Sequence, residues 1–219
     1  MLSAKEMYEK TKFLIKPKPT NIPGLKFFPD MEPEVSNDQD MPQFGLITSI
    51  EVSDCNLEVV RHVVKQLGNK LNAVVEIGVN RNGERSMSRV LIDERPRGSF
   101  YLGIDLDDKS YLDNPAENTW TLQTNSHDQD KVRSFIASKG VKNIDLLFID
   151  GWHSVNTCVN DWRYTDLLSP HGIVILHDTN SHPGCVGLFE AVNDFYYVKN
   201  RFCTENDYGI AVFESKEWT

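Results

Sequence analysis

Residues 146–155 read LLFIDGWHSV. Four apolar residues run into Asp150, a glycine follows, and Trp152 and His153 come next. A short apolar run stopped by glycine reads as a buried strand. The acid and the imidazole three positions apart can hold a metal or move a proton. They can equally end a strand and begin a turn. The segments on either side decide how the stretch sits in the fold.

Upstream, AVVEIGV (73–79) is another β-branched run that stops at glycine, and SFYLGIDLD (99–107) is a third that ends in acids. NTWTLQTNS (118–126) and GIVILHDT (172–179) complete a set of five strands with NIDLLFIDG (143–151). Helical spacing lies around and between them. In DCNLEVVRHVVKQLGNK, residues 54–70, Leu57, Val60, Val63, Val64 and Leu67 recur on one face, with Asp54 as the expected cap and Gly68 as the stop. RSMSRVLIDERP, DQDKVRSFIASKG with Val132, Phe135 and Ile136 inward, VNTCVNDWRYTDLLSPHG and GLFEAVNDFYY read as further helices. The third of these is expected to end at the Pro170–Gly172 turn. KNRFCT and YGIAVFES read as two closing strands. Strands alternating with helices indicate a parallel sheet covered on both faces. The expected fold is therefore α/β, a Rossmann-like seven-stranded, mostly parallel sheet with a C-terminal antiparallel hairpin.

Residues 1–50 differ in character. Six of the ten prolines lie in the first 45 positions, after an opening of helical character. This part reads as an N-terminal arm or lid, or as an oligomer contact, with residues 51–219 as the main domain. A proline-rich arm also suits an arm-exchanged homodimer. A disordered tail is the plainer alternative.

Bulk properties narrow the function. With 23 basic and 32 acidic residues the net charge is −9, which suits nucleic acid poorly because phosphate contacts need clustered Lys and Arg. Cys55, Cys158, Cys185 and Cys203 form no C-x-x-C pair and no zinc spacing, as expected of reduced thiols in the cytoplasm. The N-terminus carries no apolar signal core, and no 18-residue apolar run predicts a membrane span.

The middle strands end in Glu76, Asp105, Asn125, Asp150 and Asp178. Ligands of open α/β sheets bind outside the carboxyl ends of the strands, so these polar ends mark a site. Gly78 after the first strand allows close backbone approach, but G-x-G-x-x-G is missing and Glu76 would repel a pyrophosphate. It would suit a ligand carrying an amine. A plain strand–turn–helix connection fits the same residues. Asp105 can take both hydroxyls of a ribose, because a carboxylate has two acceptor oxygens. Asn125 and Ser126 can edge an adenine, as any polar loop can. If the strands ending in Asp150 and Asp178 are neighbours, their carboxylates meet and suit Mg²⁺, whereas His153 and His177 keep zinc as a second choice. For His177, a ring hydrogen-bonded within the sheet is the preferred reading. For His153, a turn histidine stands beside a general base.

VVEIGV, YLGIDLD, LLFIDGWHSV and LLSPHGIVILHDT, in this order, resemble the class I S-adenosylmethionine-dependent methyltransferases. The closer likeness is to the metal-dependent macrocin/mycinamicin-type sugar O-methyltransferases and their cephalosporin-hydroxylase-like relatives. It covers roughly residues 55–215. The resemblance implies methyl transfer to a hydroxyl of a sugar or other small molecule. It implies that Glu76 and Gly78 line the methionine part of S-adenosylmethionine, that Asp105 holds the ribose, and that Asn125 and Ser126 lie near the adenine. It further implies Mg²⁺ on Asp150 and Asp178, with His153 and Asp150 in catalysis. Thr179 stands where the family commonly has another Asp or Asn, which leaves Asn180 as the expected third ligand. Thr179 and the sparse glycine loop also suit a non-catalytic binding or scaffold protein on a degenerate methyltransferase fold. The N-P-P-[YF] motif of amino-methylating enzymes is missing.

Overall fold

A computed structural model describes residues 3–31, 52–79, 86–180, 182–202 and 207–216. Their centre is a seven-stranded sheet. Its strands are β3 (Ala73–Ile77), β4 (Phe100–Asp105), β5 (Thr119–Gln123), β6 (Ile144–Ile149), β7 (Leu168–His177), β8 (Tyr197–Phe202) and β9 (Ile210–Ser215). A separate two-stranded hairpin, β1 (Ile15–Lys18) and β2 (Phe28–Met31), precedes them. The spatial order is β5-β4-β3-β6-β7-β9-β8. The first five of these strands pair in parallel, and β9 is antiparallel to both of its neighbours. The expected closing hairpin therefore exists, with its second strand inserted next to β7.

Strand geometry explains the two cores. Side chains alternate between sheet faces with period two. Val74, Leu146, Phe148, Ile173 and Ile175 meet helices α2 (Asp54–Leu67) and α3 (Met87–Asp93) on one face. Val75, Ile77, Leu147, Ile149, Val174 and Leu176 lie on the other, with residues of α4 (Gln129–Ser138), α5 (Val155–Trp162) and α6 (Pro183–Ala191). In α2, Leu57, Val60, Val63, Val64 and Leu67 are all buried, as their spacing requires. The cap of α2 is Ser53, one residue before Asp54: its hydroxyl accepts the Asn56 N–H at 3.1 Å.

Other boundaries move as well. The helix expected to reach Pro170 stops at Trp162, a 3₁₀ turn spans Arg163–Leu167, and β7 has already begun at Leu168. Proline is tolerated there because the β6–β7 pairing is irregular at its start, with a register shift between Ile144 and Leu146. The helix α6 ends at Ala191 rather than running on to Tyr197, which opens β8. In α4, Val132 and Ile136 are buried, and Phe135 is half-buried against the same core.

The arm's described part folds back on the main domain. Helix α1 (Ala4–Thr11) starts with a Ser3/Glu6 capping box, which satisfies two otherwise orphaned N–H groups. The Tyr8 hydroxyl donates to the Glu190 carboxylate on α6. Met31 of β2 packs so tightly on α6 that a Cβ at Gly187 would lie 2.9 Å from its sulfur. The rest of the expected arm, with Gly83 and Cys203 elsewhere, lies outside the described residues. Among the described residues no helix is long and apolar enough to cross a membrane.

Candidate active site

The strand order reverses at β3, whose neighbours are β4 on one side and β6 on the other. A cavity of about 360 Å³ opens there, at the carboxyl ends of β3 to β6. Such a switch point leaves a crevice because the chain departs in opposite directions from adjacent strands. Gly78, Asp105, Asn125, Ser126, Asp150 and Trp152 line it.

Gly78 is required where it stands. Its φ is +84°, and a Cβ would lie 2.0 Å from the Asp150 carbonyl oxygen. The β3 turn and the Asp150 turn are thus in direct contact, locked by an Asp150 N–H bond to the Ile77 carbonyl at 2.8 Å. Asp105 is fixed by backbone donors. One oxygen accepts the Val79 N–H and the other the Asp107 N–H, both at 2.8 Å. Each oxygen keeps a lone pair for an incoming hydroxyl. Asn125 Oδ1 accepts the His127 N–H at 2.9 Å, a local turn that holds the loop after β5. The Ser126 carbonyl accepts the Tyr164 hydroxyl at 2.6 Å.

Glu76 does not reach the cavity wall. Its side chain turns into the α2 side of the sheet, where Ser88 Oγ (2.6 Å) and the Tyr101 hydroxyl hold it. Burial pushes its carboxyl up to about 8, against the pull of those two hydrogen bonds. The reason is register. Glu76 shares the face of Val74, two residues away, and that face is core.

Beyond Asp150 the site becomes a buried network of acids and imidazoles. Strands β6 and β7 are neighbours, so Asp150 and Asp178 do come to the same edge. Between them stands His177. Its Nδ1 lies 3.0 Å from Asp150 Oδ1 and 3.2 Å from Asp178 Oδ1, and its Nε2 lies 3.0 Å from the Asn56 amide. Burial disfavours the imidazolium, but Asp178 and Asp150 outweigh it and raise His177 to about 10. Burial likewise opposes the Asp178 carboxylate, and His177 and His153 hold it well below the usual carboxylate range. Asp178 also adopts a left-handed backbone, φ +61°.

His153 reaches the other oxygen of Asp178, Nε2 to Oδ2, at 2.8 Å. The His182 ring lies against His153, with centroids 4.1 Å apart and planes tilted by 40°. Asn180, the expected third ligand, is buried next to Asp178 and Thr179. Its Nδ2 donates to the Asp207 carbonyl at 3.5 Å, and Gly209 packs against its amide. Sequence reasoning kept His177 only as a second-choice zinc ligand and preferred a ring hydrogen-bonded within the sheet. A signal for His177 existed in Asn56, the polar residue on the buried face of α2 that becomes its partner.

No protein-family model matches the sequence, and no curated protein matches it. Solved structures do. The MycE methyltransferase of the mycinamycin biosynthetic pathway, in complex with Mg and SAH, aligns with a TM-score of 0.52 at 15% identity, over 73% of this chain and 49% of that one. The O-methyltransferase from Bacillus cereus in complex with SAH aligns with a TM-score of 0.53 at 13% identity, over 81% and 86%. CalS11, a TDP-rhamnose 3′-O-methyltransferase of calicheamicin biosynthesis, aligns with a TM-score of 0.54 at 11% identity, over 74% and 81%.

The chain has the fold of the class I S-adenosylmethionine-dependent methyltransferases. It spans about half the length of MycE. Within that methyltransferase fold, the cavity at the β3 switch point and the network of Asp150, His177, Asp178 and His153 are contiguous, because Asp150 belongs to both.

Proposed function

We propose that the chain is an S-adenosylmethionine-dependent O-methyltransferase acting on a hydroxyl of a sugar or another small molecule. The observation that carries this reading is the shared position of Asp150: it lines the cavity and also begins the buried acid–imidazole network. A cavity of this volume suits a small molecule. The turn at Gly78 admits the methionine part of the cofactor, Asp105 accepts the ribose hydroxyls, and Asn125 and Ser126 edge the adenine. Trp152 walls the acceptor side.

The sulfonium methyl is already activated, so alignment supplies much of the rate. The acceptor oxygen forms a bond to the methyl carbon as the carbon–sulfur bond breaks, and the hydroxyl proton passes to His153. Asp178 Oδ2, 2.8 Å from Nε2, orients the ring and stabilises the imidazolium that forms. Asp150 and Asp178 offer a carboxylate pair that fits a divalent cation such as Mg²⁺, with His177 as a neighbouring donor. When bound there, the cation would supply a lowered pKa at the acceptor hydroxyl. The reading includes a small hydroxylated acceptor and a cytoplasmic setting, with no nucleic acid partner.

Calorimetry with S-adenosylmethionine and SAH tests the cofactor. Binding is expected, and Asp105→Ala should weaken it about 10- to 100-fold, since hydrogen bonds to a carboxylate contribute about 1.5–3 kcal/mol. No binding of either molecule sinks the proposal. Binding without methyl transfer to any of a panel of sugars and phenols favours the scaffold reading. Turnover undiminished in EDTA removes the cation.

A further inference from the structure

Two groups of possible metal ligands share Asp178, and the proposed mechanism places a cation only on the one containing Asp150. The second is His153, Asp178 and His182. All three are buried, and one ligand atom from each lies within 4.8 Å of the others. Two imidazoles and one carboxylate form a donor set unlike the oxygen-rich shells that Mg²⁺ and Ca²⁺ prefer. It is the type that binds zinc in three-ligand sites with a fourth position left for water.

The fold builds this triad deliberately. His153 immediately precedes Ser154, the cap of α5, and His182 is the cap residue of α6. The two helix starts are pressed together: a Cβ at Gly184 would stand 2.0 Å from the His153 carbonyl oxygen. The two ring centroids lie 4.1 Å apart with their planes tilted by 40°, and Tyr208 meets His182 edge-on at 5.6 Å. Asp178 closes the triangle from the end of β7, already 2.8 Å from His153 Nε2. A tetrahedral zinc shell has neighbouring ligand atoms about 3.3 Å apart. Small side-chain rotations therefore suffice. The positive ends of α5 and α6 oppose a cation, but the carboxylates of Asp178 and nearby Asp150 offset them.

We infer that His153, Asp178 and His182 form a binding site for a zinc-class divalent cation, and that filling it withdraws His153 from methyl transfer. The inhibitory half rests on the proposed function; the binding half does not. Among first-row ions, nitrogen donors favour the later members, so Zn²⁺ binds here in preference to Mg²⁺.

The test uses the full chain and metal alone. Zn²⁺ titration should give one ion per chain, unchanged by excess Mg²⁺. Co²⁺ as a spectroscopic stand-in should show the intense visible bands of a low-coordinate site with imidazole ligands. His182→Ala and His182→Gln should each weaken Zn²⁺ by more than about tenfold and abolish the Co²⁺ bands. The second variant serves if the first does not fold. Asp150→Asn should retain both signals. With an active preparation, Zn²⁺ should inhibit the wild type and leave His182→Gln active. Absence of Zn²⁺ binding overturns the site, as does binding that survives both His182 variants or vanishes in Asp150→Asn. Binding without inhibition overturns the regulatory half. Failure of S-adenosylmethionine binding would strike the proposed function and leave the metal result standing.

Discussion

At one end of the cavity, Asp105 is held by two backbone N–H groups and still faces open space. Behind Asp150 at the cavity's edge, Asp178 is buried, and both of its oxygens face imidazoles. The first arrangement costs little: backbone donors replace water, and the carboxylate keeps spare acceptor capacity. The second takes Asp178 and His177 out of water, and each holds its charge against burial through its neighbours. Asp105 is thus held by two turns, its own and the one after β3, while the Asp178 network needs four segments to converge: α2 through Asn56, the end of β6 through Asp150, the end of β7 through His177 and Asp178, and the turn before α5 through His153.

The contrast can be broken by substitution. The largest effect belongs to the reactive end. His153→Ala should lower kcat about 10²- to 10⁴-fold, the span of a lost general base, with the Kd for S-adenosylmethionine unchanged. A parallel rise in Kd would mean that the two ends are not separable. Next comes the junction between them. Gly78→Ala forces a Cβ into the Asp150 carbonyl at a left-handed φ, and should destabilise the fold by about 2–4 kcal/mol in urea unfolding. A neutral outcome would mean that the two turns can part.

The smallest effect sharpens the role of Glu76. Its folded pKa, about 8, lies above the value of an unfolded glutamate, so the folded state binds the extra proton. Its contribution to stability is full below about pH 4 and is lost as the pH rises through about 8. Glu76→Gln removes that loss, and should stabilise the protein by about 1–3 kcal/mol at pH 9 while changing little at pH 4. A variant less stable at both values would show that the carboxylate is charged and needed.

How far the sequence was legible follows the same division. The five parallel strands, their order along the chain and the polar residues at their ends were readable from apolar runs and glycine stops, because strand periodicity and turn chemistry are local. The adjacency of the strands ending in Asp150 and Asp178 was stated as a condition, and the sheet meets it. The limits of α5 and β7 were misread because Pro170 looks like a stop, and only the irregular pairing with Ile144 lets the strand start before it.

Side-chain direction was harder. Asp105, Asn125 and Asp150 line the cavity, yet Glu76 turns inward. Position along a strand reveals which residue stands at its end. The face that its side chain takes depends on register and on what packs opposite. So the chain's local chemistry determined the β–α alternation and the row of acids at one sheet edge. Only the tertiary packing of α2, α5 and α6 against that edge decided that His177 stands between two aspartates and that His182 meets His153. The Asn56 amide that holds His177 comes from 121 positions away, and no local pattern encodes that contact.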